Sequence, residues 1–391
     1  MKKLLLPLCL LLASLSLKAQ ELNFNNLILE NEEYDVSIPF EYIKGHMYVS
    51  LKIGGKDYSF LFDTGAPTMI SKELKNVLDC KKLQATELRA INHLKDSVEN
   101  VLVSELRLAD LSFKNIPVSV FPDLYDRCDD YESGIIGANL FRNSIVYISY
   151  KHKTIRITND RKKIPVKGKY RWLMNMPENR NMPLVRAELI NGKNKVGGEF
   201  VFDTGANCLI TLSPHFSKVF SEKKVLHMLD STCGISGAGL LGAAKDTILK
   251  INRIPELKIN KARIKNVITR DVQLSCLGCE LIEYGDVLLD FKNRSFGFVP
   301  YEEETSSRQT YWPIDFLFNK NRVEISAIWD ENLNGIEVGN QLIEINGENV
   351  EQIDICDAQY KDYFSGNDQV SLVIENSEGE RKIFNISRLK F

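Results

Sequence analysis

The sequence predicts a mainly β protein made of two duplicated β lobes followed by a small α+β unit, and three observations predict it. A phrase that ends an apolar strand occurs twice, as Phe62-Asp63-Thr64-Gly65-Ala66 and as Phe202-Asp203-Thr204-Gly205-Ala206. Two further blocks recur behind each copy in the same order, so the chain carries an internal duplication. Most of the intervening sequence consists of short runs rich in β-branched and aromatic residues, bounded by Gly, Asp, Asn or Lys pairs, which is a strand pattern.

Taken in order, the chain begins with Lys2 and Lys3 ahead of an apolar run from Leu4 to Leu17, with the small residue Ala19 before Gln20. Residues 1–19 therefore read as a secretory signal peptide, and the protein is expected to be exported, with the periplasm as the default location and the extracellular space as the alternative. The apolar run is shorter than the roughly 20 residues of a membrane span, and no other stretch approaches that length, so no transmembrane anchor is expected after cleavage. Cys9 lies inside the run and offers no lipid anchor.

The first lobe is assigned to residues 20–160 and the second to residues 161–300. The second repeated block is LRLADLSFKNIPV from Leu106 against LKINKARIKNVIT from Leu257. The third is IIGANLFRNSIVYISYKHKTIRI from Ile135 against CLGCELIEYGDVLLDFKNRSFGF from Cys276, aligned without a gap. Short helices are expected at 72–78 and 214–220, directly after the two motifs. A composition break follows at 301–310, YEEETSSRQT, where charge and small polar residues replace the strand pattern; it reads as a linker. Residues 311–391 form the third unit, with strands over much of its length and a helix near 356–364.

Charge and composition exclude several functions. The 50 basic and 52 acidic side chains balance, which argues against a nucleic-acid or polyanion partner. The eight cysteines have no regular spacing, and an odd number remains outside the leader, so no disulfide scaffold is expected. The five histidines, His46, His93, His152, His215 and His227, show no paired metal-ligand spacing and are expected at the surface. No metal and no cofactor are expected. Cys276 and Cys279 form a C-x-x-C inside a strand-like block, not at a helix start, which disfavours a redox role. The stretch GISGAGLLG lacks the Lys-Ser/Thr ending of a phosphate loop, and the acidic stretch 123–132 lacks a calcium-loop pattern.

The doubled motif carries the chemistry. Amide hydrolysis without a metal or a nucleophilic side chain needs one group to deprotonate water and another to polarise the carbonyl. Two aspartates about 3 Å apart meet that need, because two like charges so close retain one shared proton. Gly65 and Gly205 permit a tight turn and close approach of the two loops. Thr64 and Thr204 supply hydroxyls that can bond across the interface.

Both halves resemble the pepsin and retropepsin superfamily of aspartic peptidases, in which an apolar pair and Asp-Thr/Ser-Gly are followed by an apolar-apolar-Gly element beneath the loop. Here that element is Ile135-Ile136-Gly137 and, less well matched, Cys276-Leu277-Gly278. Ala66 and Ala206 after the glycines are closer to the retropepsins. The resemblance covers about residues 35–300 and implies β-barrel lobes with a cleft between them, Asp63 and Asp203 as the catalytic pair, and a peptide or protein substrate. It also implies a flap hairpin, for which Gly234, Gly237 and Gly239 are candidates in the second half, whereas the corresponding first-half stretch LRAINHLKDSVENV contains no glycine.

The third unit resembles a PDZ domain of the bacterial protease-associated kind, on Asn334-Gly335-Ile336-Glu337-Val338-Gly339-Asn340 and Leu342-Ile343-Glu344-Ile345-Asn346-Gly347. This implies a peptide ligand added to a sheet edge, expected along 323–329 beside the helix near 356–364. The segment around 316–318 departs from the usual glycine-containing carboxylate loop. The expected protein is a monomeric exported aspartic endopeptidase, the alternative being an exported peptide-binding protein that uses the same cleft and groove without catalysis.

Overall fold

A computed structural model describes residues 22–89, 95–122, 133–177, 182–235, 238–239, 242–243, 246–307, 309–319, 322–353, 361, 363–364 and 366–389. The leader, the acidic stretch 123–132, His93, Gly237 and most of the helix expected near 356–364 lie outside the described residues.

The chain is mainly β. Its first large sheet is nine-stranded and is centred on strand Lys56–Asp63, which pairs antiparallel with His46–Ile53 on one side and parallel with Gly134–Gly137 on the other. The sequence KDYSFLFD starts exposed and ends fully buried, so its apolar half runs into the core and delivers Asp63 at the far end. The second large sheet is eight-stranded and repeats this plan: Asn194–Asp203 pairs antiparallel with Leu184–Asn191 and parallel with Cys276–Gly278. In each sheet the aspartate stands opposite a glycine, Asp63 opposite Gly137 and Asp203 opposite Gly278.

Helices follow both motifs for the same local reason. Ser71 accepts a hydrogen bond from the Leu74 N–H and caps Lys72–Val77. Ser213 accepts from the Phe216 N–H, and Pro214 supplies a preset first turn for Pro214–Glu222.

A third sheet is built by both halves together. It runs Arg171–Leu173, Ser295–Pro300, Gly285–Asp290, Ile145–Ser149, Thr154–Thr158, Asp35–Pro39. The central pairing joins Ile145 to Asp290 and Ile148 to Val287 across the duplication. One buried apolar cluster accordingly spans both halves, with Phe62, Ile148, Phe202 and Leu289 among its members. Residues 304–306, inside the stretch read as a linker, form the strand Glu304–Ser306, which pairs parallel with Arg263–Lys265 at the margin of the second-half sheet. An edge strand needs backbone partners but no apolar side chains, so composition alone did not reveal it.

The third unit has its own sheet, Ile314–Asn319, Arg322–Ile328, Gln341–Ile345, Gln369–Glu375 and Arg381–Ser387, around a core that includes Ile325, Leu342 and Leu372. The ligand groove expected along 323–329 is corrected here. Arg322–Ile328 has Ile314–Asn319 on one side, while on the other the Ile325 N–H donates to Asn340 O and Ile325 O accepts from the Gly339 N–H. The strands at the two ends of this sheet's order are Ile314–Asn319 and Arg381–Ser387, and in the first of them Phe316 stacks on Phe364 at 5.3 Å between ring centres.

The third unit is seated on the second half. Leu249 and Ile251 of strand Asp246–Ile259 are buried together with Tyr311, Ala327 and Trp329. Arg270 makes a two-point ion pair with Asp315, which also accepts from Trp329 Nε1 at 2.9 Å. At Gly234 the fit leaves no room for a side chain, since a Cβ there would collide with the Ser326 carbonyl oxygen. Gly234→Ala is expected to cost about 1–3 kcal/mol through the backbone shift it forces. A urea midpoint and limited proteolysis across 301–310 check this; an unchanged midpoint with an unchanged cleavage pattern would contradict it.

Candidate active site

The two Asp-Thr-Gly turns meet at the junction of the two halves, and their threonines cross. The Thr64 N–H donates to Thr204 Oγ1 at 3.0 Å, and the Thr204 N–H donates to Thr64 Oγ1 at 3.1 Å. Each hydroxyl in turn donates to the backbone of the opposite strand, Thr64 to Phe202 O at 2.6 Å and Thr204 to Phe62 O at 2.7 Å. Four hydrogen bonds thus lock the loops face to face. Both threonines are fully buried, so each bond replaces water that cannot reach the site.

The aspartates stand over this lock. Asp63 Oδ1 accepts from the Gly65 N–H at 2.6 Å and Asp203 Oδ1 from the Gly205 N–H at 2.9 Å. A Cβ on Gly65 would run into the Asp203 carboxyl group, and one on Gly205 into that of Asp63. Each carboxyl group therefore lies directly over the opposite glycine. Glycine is required at 65 and 205 because of that approach, not because of an unusual φ. The exposures of 9% for Asp63 and 8% for Asp203 leave only a small opening to solvent. Burial raises the Asp203 carboxyl above the ordinary carboxylate range, partly offset by its hydrogen bonds to the Asp63 side chain and the Gly205 amide. A carboxyl pair in hydrogen-bond contact holds one proton between them.

Beneath each loop lies the glycine element. A Cβ on Gly137 would strike the Ala66 carbonyl, and one on Gly278 would strike the carbonyls of Ala206 and Cys208. The supports beside these glycines differ between the repeats. In the first half, Asn139 Oδ1 accepts from both the amide and the hydroxyl of Thr68 at 2.8 Å. In the second, the alignment puts Cys208 and Glu280 in those places, and the Glu280 N–H donates to Cys208 O at 3.1 Å.

Burial, reinforced by nearby Glu283, pushes the Glu280 carboxyl up to about 7, against the opposing hydrogen bonds from Gln309 and the Leu209 backbone. A carboxyl group raised in the folded state contributes stability that is fully present below its unfolded value. That contribution is lost as pH rises through the folded value. Between the ordinary 4.5 and about 7, wild type should lose on the order of 2–3 kcal/mol from this group. Glu280→Gln should flatten that loss, so its stability at pH 8 relative to pH 5 should exceed that of wild type; parallel urea curves at both pH values would refute the assignment.

The other candidates fall as follows. Ala66 packs beside the buried cluster of Tyr48, Leu61, Met69, Phe121 and Ile135, and the Ala206 N–H turns back to Asp203 O at 3.3 Å. Gly234 lies within strand His227–Ile235 opposite Thr247, held against the third unit and not at a hairpin tip. Gly239 pairs with Gly242 in a separate two-stranded ribbon. The glycine-free first-half stretch also forms a ribbon, Thr86–Arg89 with Lys95–Val98. Cys276 and Cys279 are buried in the floor, with Cys276 Sγ 3.9 Å from Cys208 Sγ.

His152, His215 and His227 are exposed as expected, whereas His46 is half-buried. Its Nε2 lies 3.1 Å from Gly205 O, a contact that no spacing pattern could have announced. Among the described residues no group of three or more His, Cys, Asp or Glu side chains is arranged to hold a metal ion. Among them, too, no helix is long and apolar enough to cross a membrane.

Comparison with known proteins adds one direct finding. Residues 49–140 match the aspartyl protease family. The matched segment contains Asp63 and Gly137 and ends before the second motif. No curated protein matches the chain. Among solved structures, the basic 7S globulin of soybean is similar with a TM-score of 0.39 and 11% identity, over 69% of this chain and 97% of the globulin. An aspartic proteinase from Irpex lacteus is similar with a TM-score of 0.43 and 12% identity, over 68% of this chain and 97% of the proteinase.

Proposed function

We propose that the chain is an aspartic-type endopeptidase in which Asp63 and Asp203 share one proton and activate a water molecule. The observation that carries this reading is the crossed threonine lock, which holds each carboxyl group against the opposite glycine. The ionised member takes a proton from water, and the protonated member donates to the scissile carbonyl oxygen. Water attacks the carbonyl carbon, and the tetrahedral adduct collapses as a proton passes to the leaving amine. Thr64 and Thr204 hold the pair, while Gly137 and Gly278 let the supporting strands close beneath it.

The third unit is proposed to bind an extended segment of peptide or protein substrate by strand addition along Ile314–Asn319, the end strand whose Phe316 stacks on Phe364. The protein is further proposed to act after export, as a monomer. Incubating denatured protein with wild type, Asp63→Asn and Asp203→Asn from acidic to neutral pH tests the central claim. Cleavage by wild type alone is the expected result. No cleavage by wild type, or equal cleavage by all three, would leave a peptide-binding protein as the better reading.

A further inference from the structure

The geometry points to His46 as a positioning residue that fixes the second aspartate loop from the first half of the chain. This inference rests on the aspartic-peptidase reading and deepens it. Strands Glu41–Ile43 and His46–Ile53 are joined by a two-residue turn, Lys44 and Gly45, with φ of 46° and 82°. Such a turn needs left-handed backbone at both positions, which glycine accepts readily. The turn does not project into solvent but rests on the second half: a Cβ on Gly45 would sit 2.9 Å from Asn207 Cβ. From the next position, His46 Nε2 reaches Gly205 O at 3.1 Å. A carbonyl oxygen only accepts, so Nε2 carries the proton in this contact.

Gly205 is thereby held at both ends. Its carbonyl is fixed by His46 while its N–H donates to Asp203 Oδ1 at 2.9 Å. Rotation of this residue would turn the N–H away from the carboxyl group and carry the loop out of register with Asp63. The duplication makes the asymmetry visible. Tyr48 pairs with Leu61 two residues before Asp63, and Leu184 pairs with Val201 two residues before Asp203. The position equivalent to His46 is therefore Met182, whose thioether has no proton to donate. The threonine lock is doubled, whereas this clamp is single. A pair of aspartates must divide into an acid and a base, and each otherwise accepts from the amide two residues along. His46 supplies a distinction between them.

The experiment compares wild type, His46→Ala and His46→Gln in kcat and KM on denatured protein, in thermal midpoint, and in hydrogen exchange at the Gly205 amide of glycine-labelled protein. For His46→Ala, kcat should fall on the order of tenfold to a hundredfold, with KM within about twofold of wild type. Gln retains an N–H at similar reach and should recover most of kcat. Gly205 exchange should be faster than wild type in the Ala variant and near wild type in the Gln variant. An unchanged kcat together with unchanged exchange in His46→Ala would overturn the inference. So would equal losses in both variants that track a fall in thermal midpoint, because that pattern is a packing defect. Should wild type cleave nothing, the peptidase reading fails on its own. Gly205 exchange then still decides the clamp: faster exchange in His46→Ala supports it, and unchanged exchange overturns it.

Discussion

Replacing either Asp63 or Asp203 by asparagine is expected to lower kcat/KM on a denatured protein by about three to four orders of magnitude, the scale of a lost general acid–base group. Asparagine keeps the size of the side chain and an oxygen that can still accept from Gly65 or Gly205. What it removes, on the proposed mechanism, is the proton that the pair would exchange with water and the leaving amine. Stability should move the other way. Because burial raises Asp203 in the folded protein, its contribution to stability is complete below its unfolded pKa of about 3.9 and is lost as pH rises through the higher folded value. At pH 7 the Asp203→Asn variant should therefore unfold no earlier than wild type while remaining inactive. A thermal midpoint well below wild type would mean that lost folding, not lost chemistry, explains the lost activity.

The second large effect concerns Thr64→Val and Thr204→Val. Valine fills the same volume, so the cavity contribution is small. Each substitution leaves the partner threonine's N–H and one phenylalanine carbonyl unsatisfied, at sites that are 1% exposed at Thr64 and 0% exposed at Thr204. An unsatisfied buried group costs about 1–3 kcal/mol, so each variant should lose about 2–5 kcal/mol in urea unfolding. Serine at the same position keeps the hydroxyl and should lose much less. The four bonds form one network, so a double-mutant cycle should be non-additive, the second substitution costing less than the first. Strictly additive losses, or a loss below about 0.5 kcal/mol for either valine, would show that the loops are held by something else.

The elements legible in the sequence are those whose cause is local. Strand Lys56–Asp63 announces itself because its apolar run stops at a carboxylate, and Asn194–Asp203 repeats the pattern. The helices after them follow from a serine cap, with a proline in the second. What stayed hidden depends on distant partners. Gly234 reads as a flap candidate, yet a Cβ there is excluded by the carbonyl of Ser326 in another unit. Glu304–Ser306 has no apolar alternation, and only its pairing with Arg263–Lys265 makes it a strand. Alternation identifies Arg322–Ile328 as a strand without saying that it has neighbours on both sides. His46 reads as one of five surface histidines without metal-ligand spacing, and nothing in its sequence neighbours points to Gly205. The divergence of the supports, Thr68 with Asn139 against Cys208 with Glu280, was on view in the aligned blocks, but its consequence for ionisation depends on burial.

The sheet that joins the halves also dictates an order of assembly. Ile145–Ser149 finds one neighbour, Thr154–Thr158, within a few residues, but its other neighbour is Gly285–Asp290. During synthesis the first half must therefore wait with an apolar strand edge uncovered until nearly all of the second has been made, and contacts so far apart in sequence form slowly. A chain interrupted between Gly205 and Gly285 carries both Asp-Thr-Gly turns but lacks the strand that joins the two halves. The two aspartates are therefore made well before the sheet that ties their halves together, and their juxtaposition has to wait for that sheet.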